Sequence, residues 1–266
     1  MPYAFHNGVR IYWEEEGSGE PLLMIMGLSF PMAMWGELRG VLAKNFRTIL
    51  LDNRGAGNSD VPARHWNMAQ MAEDAACVLD AAGVRTVDLI GVSMGGMIAQ
   101  ELTLQHPERV RKLILGCTAC GGFKAVLPDA RALYTLGSPF MTREARLRAV
   151  LPLIYDPHTP QERIDADIAR LKGNAPSERG YLQQFAAILP WHSYDRLPRI
   201  HAPALVIHGE TDGLVPPANA PILADRISGA KLKMIPQASH MFHTDQPEIT
   251  RDTLLEFLKE DSYVRS

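Results

Sequence analysis

The sequence predicts an α/β protein: a mostly parallel central sheet of about eight strands flanked by helices, with one helical insertion after the sixth strand. Three observations carry that prediction. Short runs rich in Ile, Leu and Val recur without polar alternation, which is how strands buried on both faces read. Helix-like segments stand between those runs, so the strands must run parallel with helices covering both faces. One long stretch, from Gly121 to Arg199, has helical signals and no strand-like run.

Taken in order, Tyr3-Ala4-Phe5 and Val9 to Trp13 alternate around Asn7-Gly8, a two-residue hairpin signal, and form an antiparallel edge. Gly17-Ser18-Gly19 ends that pattern. The apolar runs are Leu22–Met26, Thr48–Leu51, Val87–Ile90, Leu113–Leu115, Ala204–Ile207 and Leu232–Ile235. Helices are expected over about 32–44, 68–82, 94–106, 219–227 and 248–259. Asp245 with Glu248 three residues on predicts a capping-box start for the last of them. Within the insertion, Thr159-Pro160-Gln161-Glu162 marks another helix start. Pro128, Pro139, Pro152, Pro176 and Pro190 divide the region into short helices. The expected division is a core of residues 1–120 and 199–266, with 121–198 as a small domain or lid.

Composition narrows the function. The chain of 266 residues is 46% hydrophobic and 21% charged, ordinary for a soluble globular protein. A formal net charge of −3 without basic runs gives no case for nucleic acid or an anionic membrane as partner. No apolar stretch is long enough to cross a bilayer, and Met1 to Gly17 lacks the charge-then-apolar pattern of a secretory leader. Three cysteines make no disulfide framework, which suits a reducing, cytoplasmic setting. Cys117-Thr118-Ala119-Cys120 is a C-x-x-C, but no second ligand pair accompanies it, so it reads as two incidental thiols and no metal is expected.

The chemistry centres on Gly91-Val92-Ser93-Met94-Gly95-Gly96, a G-x-S-x-G between a predicted strand and a predicted helix. A serine on so sharp a turn is held in a strained conformation with its hydroxyl above the sheet, and the following N–H groups are left free for an anion. Alone, the pattern arises by chance in roughly one chain of this length in ten. Its weight depends on partners. A serine hydroxyl needs a histidine to take its proton, and the histidine needs a carboxylate to fix its tautomer. His240 follows the run ending at Ile235, on a post-strand loop. His243 is closer to the last helix and is expected at the surface, and His208 is read as a structural loop residue. Asp212 lies in the turn-rich His208–Gly213 loop after another strand, with Glu210 as the alternative acid. Ser93, Asp212 and His240 thus follow three different strands in the order Ser…Asp…His.

With Met26-Gly27-Leu28, Asp52 to Ser59, Gly91 to Gly96, His208 to Asp212 and Ser239-His240, the chain resembles the α/β-hydrolase superfamily over almost its whole length. It is most similar there to small serine esterases, enol-lactonases and cofactor-free haloperoxidases. The resemblance implies Ser93 as nucleophile, Asp212 as orienting acid, His240 as general base, and the backbone N–H groups of Leu28 and Met94 as the oxyanion hole. It also implies that the insertion is a lid and that no cofactor is required. Met26 stands where the family often has His, which makes the floor beside the nucleophile more apolar.

The expected function is hydrolysis of carboxylic esters of small to medium, fairly apolar substrates, with a small-molecule ester or lactone as the partner. Lactone or carbon–carbon bond hydrolysis, acyl transfer or perhydrolysis could run on the same triad, and a low-turnover ligand sensor is the non-enzyme alternative. Met26, Phe123, Tyr134, Phe140, Trp191 and His192 are the pocket candidates, the aromatic ones chosen by size, with Tyr155 and Phe185 beside them. Arg54 and Asp52 are expected to brace the Gly-rich loop as an ion pair. Gly55-Ala56-Gly57 is no dinucleotide fingerprint, because Asp60 occupies the third glycine position.

Overall fold

The computed structural model describes residues 2–138, 140–173 and 177–260. Pro139 and Pro176, two of the expected punctuating prolines, lie outside them. Strands β1 (Tyr3–His6) and β2 (Val9–Glu16) form the expected hairpin, with His6 opposite Val9. Both turn residues, Asn7 and Gly8, have positive φ (49° and 78°), which matches the turn twist to that of the strands.

The sheet then takes in β3 (Glu20–Ile25), β4 (Phe46–Leu51), β5 (Val87–Val92), β6 (Val110–Gly116), β7 (Ala204–Gly209) and β8 (Lys231–Ile235). Its spatial order is β1-β2-β4-β3-β5-β6-β7-β8. β2 is antiparallel to β1 and β4, and every pair from β4 to β8 is parallel. The order reverses beside β3 and β5, so the loops after these two strands meet at the carboxyl edge of the sheet, where such folds bind ligands.

Two apolar layers fix the helices. α2 (Met68–Ala81), α3 (Met94–Gln105) and α8 (Asn219–Arg226) cover one face through residues such as Met71, Ile98 and Leu223. α1 (Gly36–Ala43) and α10 (Pro247–Lys259) cover the other through Leu38, Leu42, Leu254 and Leu258. No helix of the described residues is long and apolar enough to cross a membrane. The segment between β6 and β7 holds α4 (Ala130–Gly137), α5 (Arg143–Ile154), α6 (Gln161–Gly173) and α7 (Glu178–Ile188), and no strand longer than an isolated bridge among the described residues.

Three expectations are corrected. The helix expected over 32–44 is split at Gly36 (φ 52°) into a 3₁₀ turn and α1. Asp245 does not cap the last helix. It ends the short helix α9 (Phe242–Asp245), and α10 begins at Pro247 after Gln246, with no side-chain cap. Arg54 does not pair with Asp52. Its guanidinium binds the Asp74 carboxylate of α2 at 2.5 Å, and His6 also contacts that carboxylate. The Asp52 carboxylate instead accepts the backbone N–H groups of Met32 and Asn58, tying the Gly-rich loop to the segment after β3.

Gly57 (φ 51°) closes this arrangement, because a Cβ there would sit 2.0 Å from an Asp52 carboxylate oxygen. Gly57→Ala is expected to destabilise the protein by about 3 kcal/mol or more, from left-handed strain plus a displaced Asp52. Urea denaturation measures it, and a loss within about 0.5 kcal/mol would be that of an ordinary surface site and would refute the packing argument.

Candidate active site

β5 runs on to Val92 and α3 starts at Met94, leaving Ser93 alone at the corner with φ 59° and ψ −124°. Its backbone is pinned on both sides. The Ser93 N–H donates to Gly116 O, and its carbonyl accepts Gly96 N–H and the Thr118 hydroxyl. The flanking glycines permit close approach rather than positive φ. A Cβ on Gly91 would sit 2.2 Å from Gly95 O, and one on Gly95 would sit 2.2 Å from Ile25 O. A Cβ on Gly27 would come within 2.9 Å of the Ser93 Cβ. The corner is therefore wedged against the end of β3, and Leu28 follows directly there. Met94, as the first residue of α3, has no intrahelical acceptor for its N–H. Among the described residues neither Leu28 N–H nor Met94 N–H donates to a protein acceptor.

Asp212 lies in the turn after β7 and is buried. One carboxylate oxygen, Oδ1, accepts the N–H groups of Leu214 and Val215 at 2.9 and 2.8 Å. The other, Oδ2, faces His240 Nδ1 at 2.8 Å and His208 Nε2 at 3.2 Å. Burial pushes the carboxyl group up, but the charge of His240 and the hydrogen bonds from both histidines outweigh it and hold Asp212 well below the usual carboxylate range. The acid is ionised at neutral pH, and Nδ1 of His240 is committed to it.

His240 is carried on the loop after β8. Ser239 N–H donates to Asp245 Oδ2 at 2.7 Å, and Met241 N–H donates to Ile154 O at 2.8 Å, so both neighbours of the histidine are tied down. Asp245 also accepts the Thr159 hydroxyl and the Asp156 N–H, which joins this loop to the start of α6. Burial raises the Asp245 carboxyl to about 6 against these hydrogen bonds. A folded-state value above the unfolded one gives stability that is full below about pH 4 and lost as pH rises through about 6. Wild type is therefore expected to lose stability relative to Asp245→Asn between pH 4 and 6, followed by urea denaturation at each pH. A constant difference across that window would refute the assignment.

His240 and Ser93 line one cavity of about 1070 Å³, a volume that includes its open mouth. Met26, Leu28 and Val92 line it from the sheet side, and Leu136, Leu147, Val150, Ile154 and Tyr181 from the insertion. Of the pocket candidates, Met26 alone is in that lining. Phe123, Tyr134, Phe140 and His192 are exposed, and Trp191 is buried with its indole N–H on Glu101 of α3. Tyr155 is buried with its hydroxyl on Asp167, and Phe185 stacks on Tyr181. From α5, Leu147, Val150 and Ile154 line the cavity together with Arg143 and Arg146, and the aromatic residues there are Phe30 and Tyr181.

Other side chains enter that the sequence reading did not assign to the site. His208, expected as a structural loop residue, touches the Asp212 carboxylate directly. His243, expected at the surface, is buried with Nε2 donating to Met34 O. Gln184 of α7 accepts Ser29 N–H and donates to Arg54 O, and Asn53 donates to Met26 O. These amides hold the backbone around Leu28. No motif signals them, because their partners are backbone atoms far away in sequence.

A family model described as alpha/beta hydrolase fold matches residues 20–247. A protein of Azorhizobium caulinodans provisionally named carbamate hydrolase RutD is 31% identical over 98% of this chain and 99% of its own length. Among solved structures, the enol-lactonase of Burkholderia xenovorans LB400 superposes with a TM-score of 0.86 at 26% identity, covering 97% of this chain and all of the other. The esterase EaEST of Exiguobacterium antarcticum gives 0.88 at 26% identity, covering 97% and 98%.

Proposed function

The chain belongs to the α/β-hydrolase family and is a hydrolase, and from that premise we propose that it cleaves carboxylic esters of small to medium, fairly apolar substrates through an acyl-enzyme on Ser93. One observation carries the reading. A serine held at positive φ between β5 and α3 shares a cavity with a histidine whose other ring nitrogen is bound to a buried, ionised aspartate.

Ser93 Oγ attacks the carbonyl carbon while His240 Nε2 takes its proton, and Asp212 steadies the imidazolium. The N–H groups of Leu28 and Met94 receive the oxyanion, each contributing roughly 3 kcal/mol to barrier lowering, with the positive end of α3 behind Met94. His240 then protonates the departing alkoxide. Water, deprotonated by the same histidine, releases the acid. Residues 121–198 act as the lid over this cavity, and the rest of the chain as the core that holds the triad. Leu147, Val150 and Ile154 of α5, with Met26 and Leu28 opposite, suit an apolar acyl group. Lactones are the second reading, favoured by the likeness to an enol-lactonase. Their leaving group stays tethered, but the chemistry is the same.

The test pairs fluorophosphonate labelling with a substrate panel. Stoichiometric labelling of Ser93 and many turnovers of p-nitrophenyl acetate and butyrate are expected. Faster turnover of lactones than of esters of equal carbon number would move the assignment to the second reading. Labelling with no turnover of either would indicate a ligand sensor instead.

A further inference from the structure

Cys117 takes no part in the mechanism above, yet it lies against it. It follows β6, is fully buried, and sits at φ 42° with its N–H on Ile207 O. Its Sγ lies 3.8 Å from Ser239 O. One donor atom each from Cys117, Asp212 and His240 lie within 4.8 Å of one another. A buried cysteine is by default a small apolar filler. This one converges with a carboxylate and an imidazole, a donor set suited to zinc and related ions.

We infer that Cys117, Asp212 and His240 form a latent site for a thiophilic divalent cation, zinc or cadmium, and that filling it switches the triad off. Binding is independent of the serine-hydrolase reading; the loss of activity rests on it. Geometry allows the site. Around tetrahedral zinc, sulfur, nitrogen and oxygen donors lie about 3.5 Å apart, so the widest separation closes by at most about 1.3 Å and the 2.8 Å Asp212–His240 pair opens by about 0.7 Å. Of the three, His240 alone lines the cavity, so an ion must pass its ring to reach the buried thiol and carboxylate.

Charge balance favours it as well. A thiolate, a carboxylate and a neutral imidazole cancel a divalent ion, so the filled site buries no net charge. Without an ion, burial and the neighbouring Asp212 push the Cys117 thiol well up, so it keeps its proton and leaves the Asp212–His240 hydrogen bond intact. When the ion binds, the thiol proton goes to solvent. The ion takes Nδ1 of His240, and the proton displaced from there is replaced by one on Nε2. One proton is released per ion. His240 stays neutral but in the opposite tautomer, with Nε2 unable to accept the proton of Ser93.

The test starts from chelator-treated protein. Zinc titrated by calorimetry should bind at one ion per chain with one proton released, and cadmium should raise the ultraviolet thiolate-to-metal band. Hydrolysis should fall in parallel with occupancy and return with EDTA. Cys117→Ser should weaken binding by more than the roughly 10–100-fold typical of an outer partner. Cys77→Ser, away from the site, should leave it unchanged. Should Cys117→Ser fail to fold, a Cys77→Ser/Cys120→Ser variant keeps Cys117 as its sole thiol, and its cadmium band must persist. A cadmium band absent from wild type, or lost in that variant, would overturn the inference, as would unaltered affinity in Cys117→Ser. A band in a protein that hydrolyses no ester would leave the site standing and refute only the proposed function.

Discussion

Replacing Ser93 by alanine is expected to lower kcat for ester hydrolysis by roughly 10⁶-fold with KM little changed, as when a triad nucleophile is deleted elsewhere. The size follows from what the corner does. Its backbone is held by Gly116 O, Gly96 N–H and Thr118, none of which involves the hydroxyl, so alanine leaves the turn, α3 and the cavity in place. Only the attacking atom is lost. The N–H groups of Leu28 and Met94, the proposed oxyanion donors, remain, so some activity above that of water is expected to persist. Ser93→Gly separates chemistry from strain. With φ at 59°, glycine relieves the left-handed cost that serine and alanine both carry, so this variant should be more stable than wild type by about 1 kcal/mol and equally inactive. Steady-state turnover of p-nitrophenyl butyrate and urea denaturation check the two halves. Near-wild-type activity in Ser93→Ala would end the acyl-enzyme mechanism.

The corner was readable in the sequence because its causes are local. A buried strand, a helix and small residues where chains collide all fall within a few positions, and the collisions at Gly91 and Gly95 are present in the structure. The loops after β7 and β8 were readable for the same reason, since a post-strand position is set by the strand itself. What failed depended on distant partners. Asp245 and Glu248 have the spacing of a capping box, but the Asp245 carboxylate is taken up by Ser239 and Thr159 instead. Arg54 and Asp52 are neighbours in sequence and bind different elements. His208 is four residues from Asp212, and only the turn at Gly209–Asp212 brings its ring onto the carboxylate. The pocket candidates were chosen by size, whereas lining a cavity depends on which face a helix presents. Phe123 and Phe140 face outward, while Leu147, Val150 and Ile154 line the cavity from α5, at helical spacings of three and four.

Replacing Asp212 by asparagine is expected to lower kcat by roughly 10⁴-fold, because the change reverses the tautomer of His240. The hydrogen bonds around the side chain fix which way the new amide sits. Leu214 and Val215 both donate backbone N–H groups to Oδ1, so the amide oxygen must stay on that side and the NH₂ must take the place of Oδ2. There it meets His240 Nδ1 and His208 Nε2. Nδ1 must then accept rather than donate. The ring proton moves to Nε2, and the proposed base becomes a donor. His208 Nε2 donates to Val215 O at 2.9 Å and cannot accept from the amide, so the acceptor left beside the NH₂ is His240 Nδ1. Glu210, the alternative acid, is exposed and gives no substitute. Labelling by fluorophosphonate should slow along with turnover, since both need Nε2 to take the serine proton. A variant within tenfold of wild type in kcat would show that the Asp212–His240 contact is structural, and that another group orients the base.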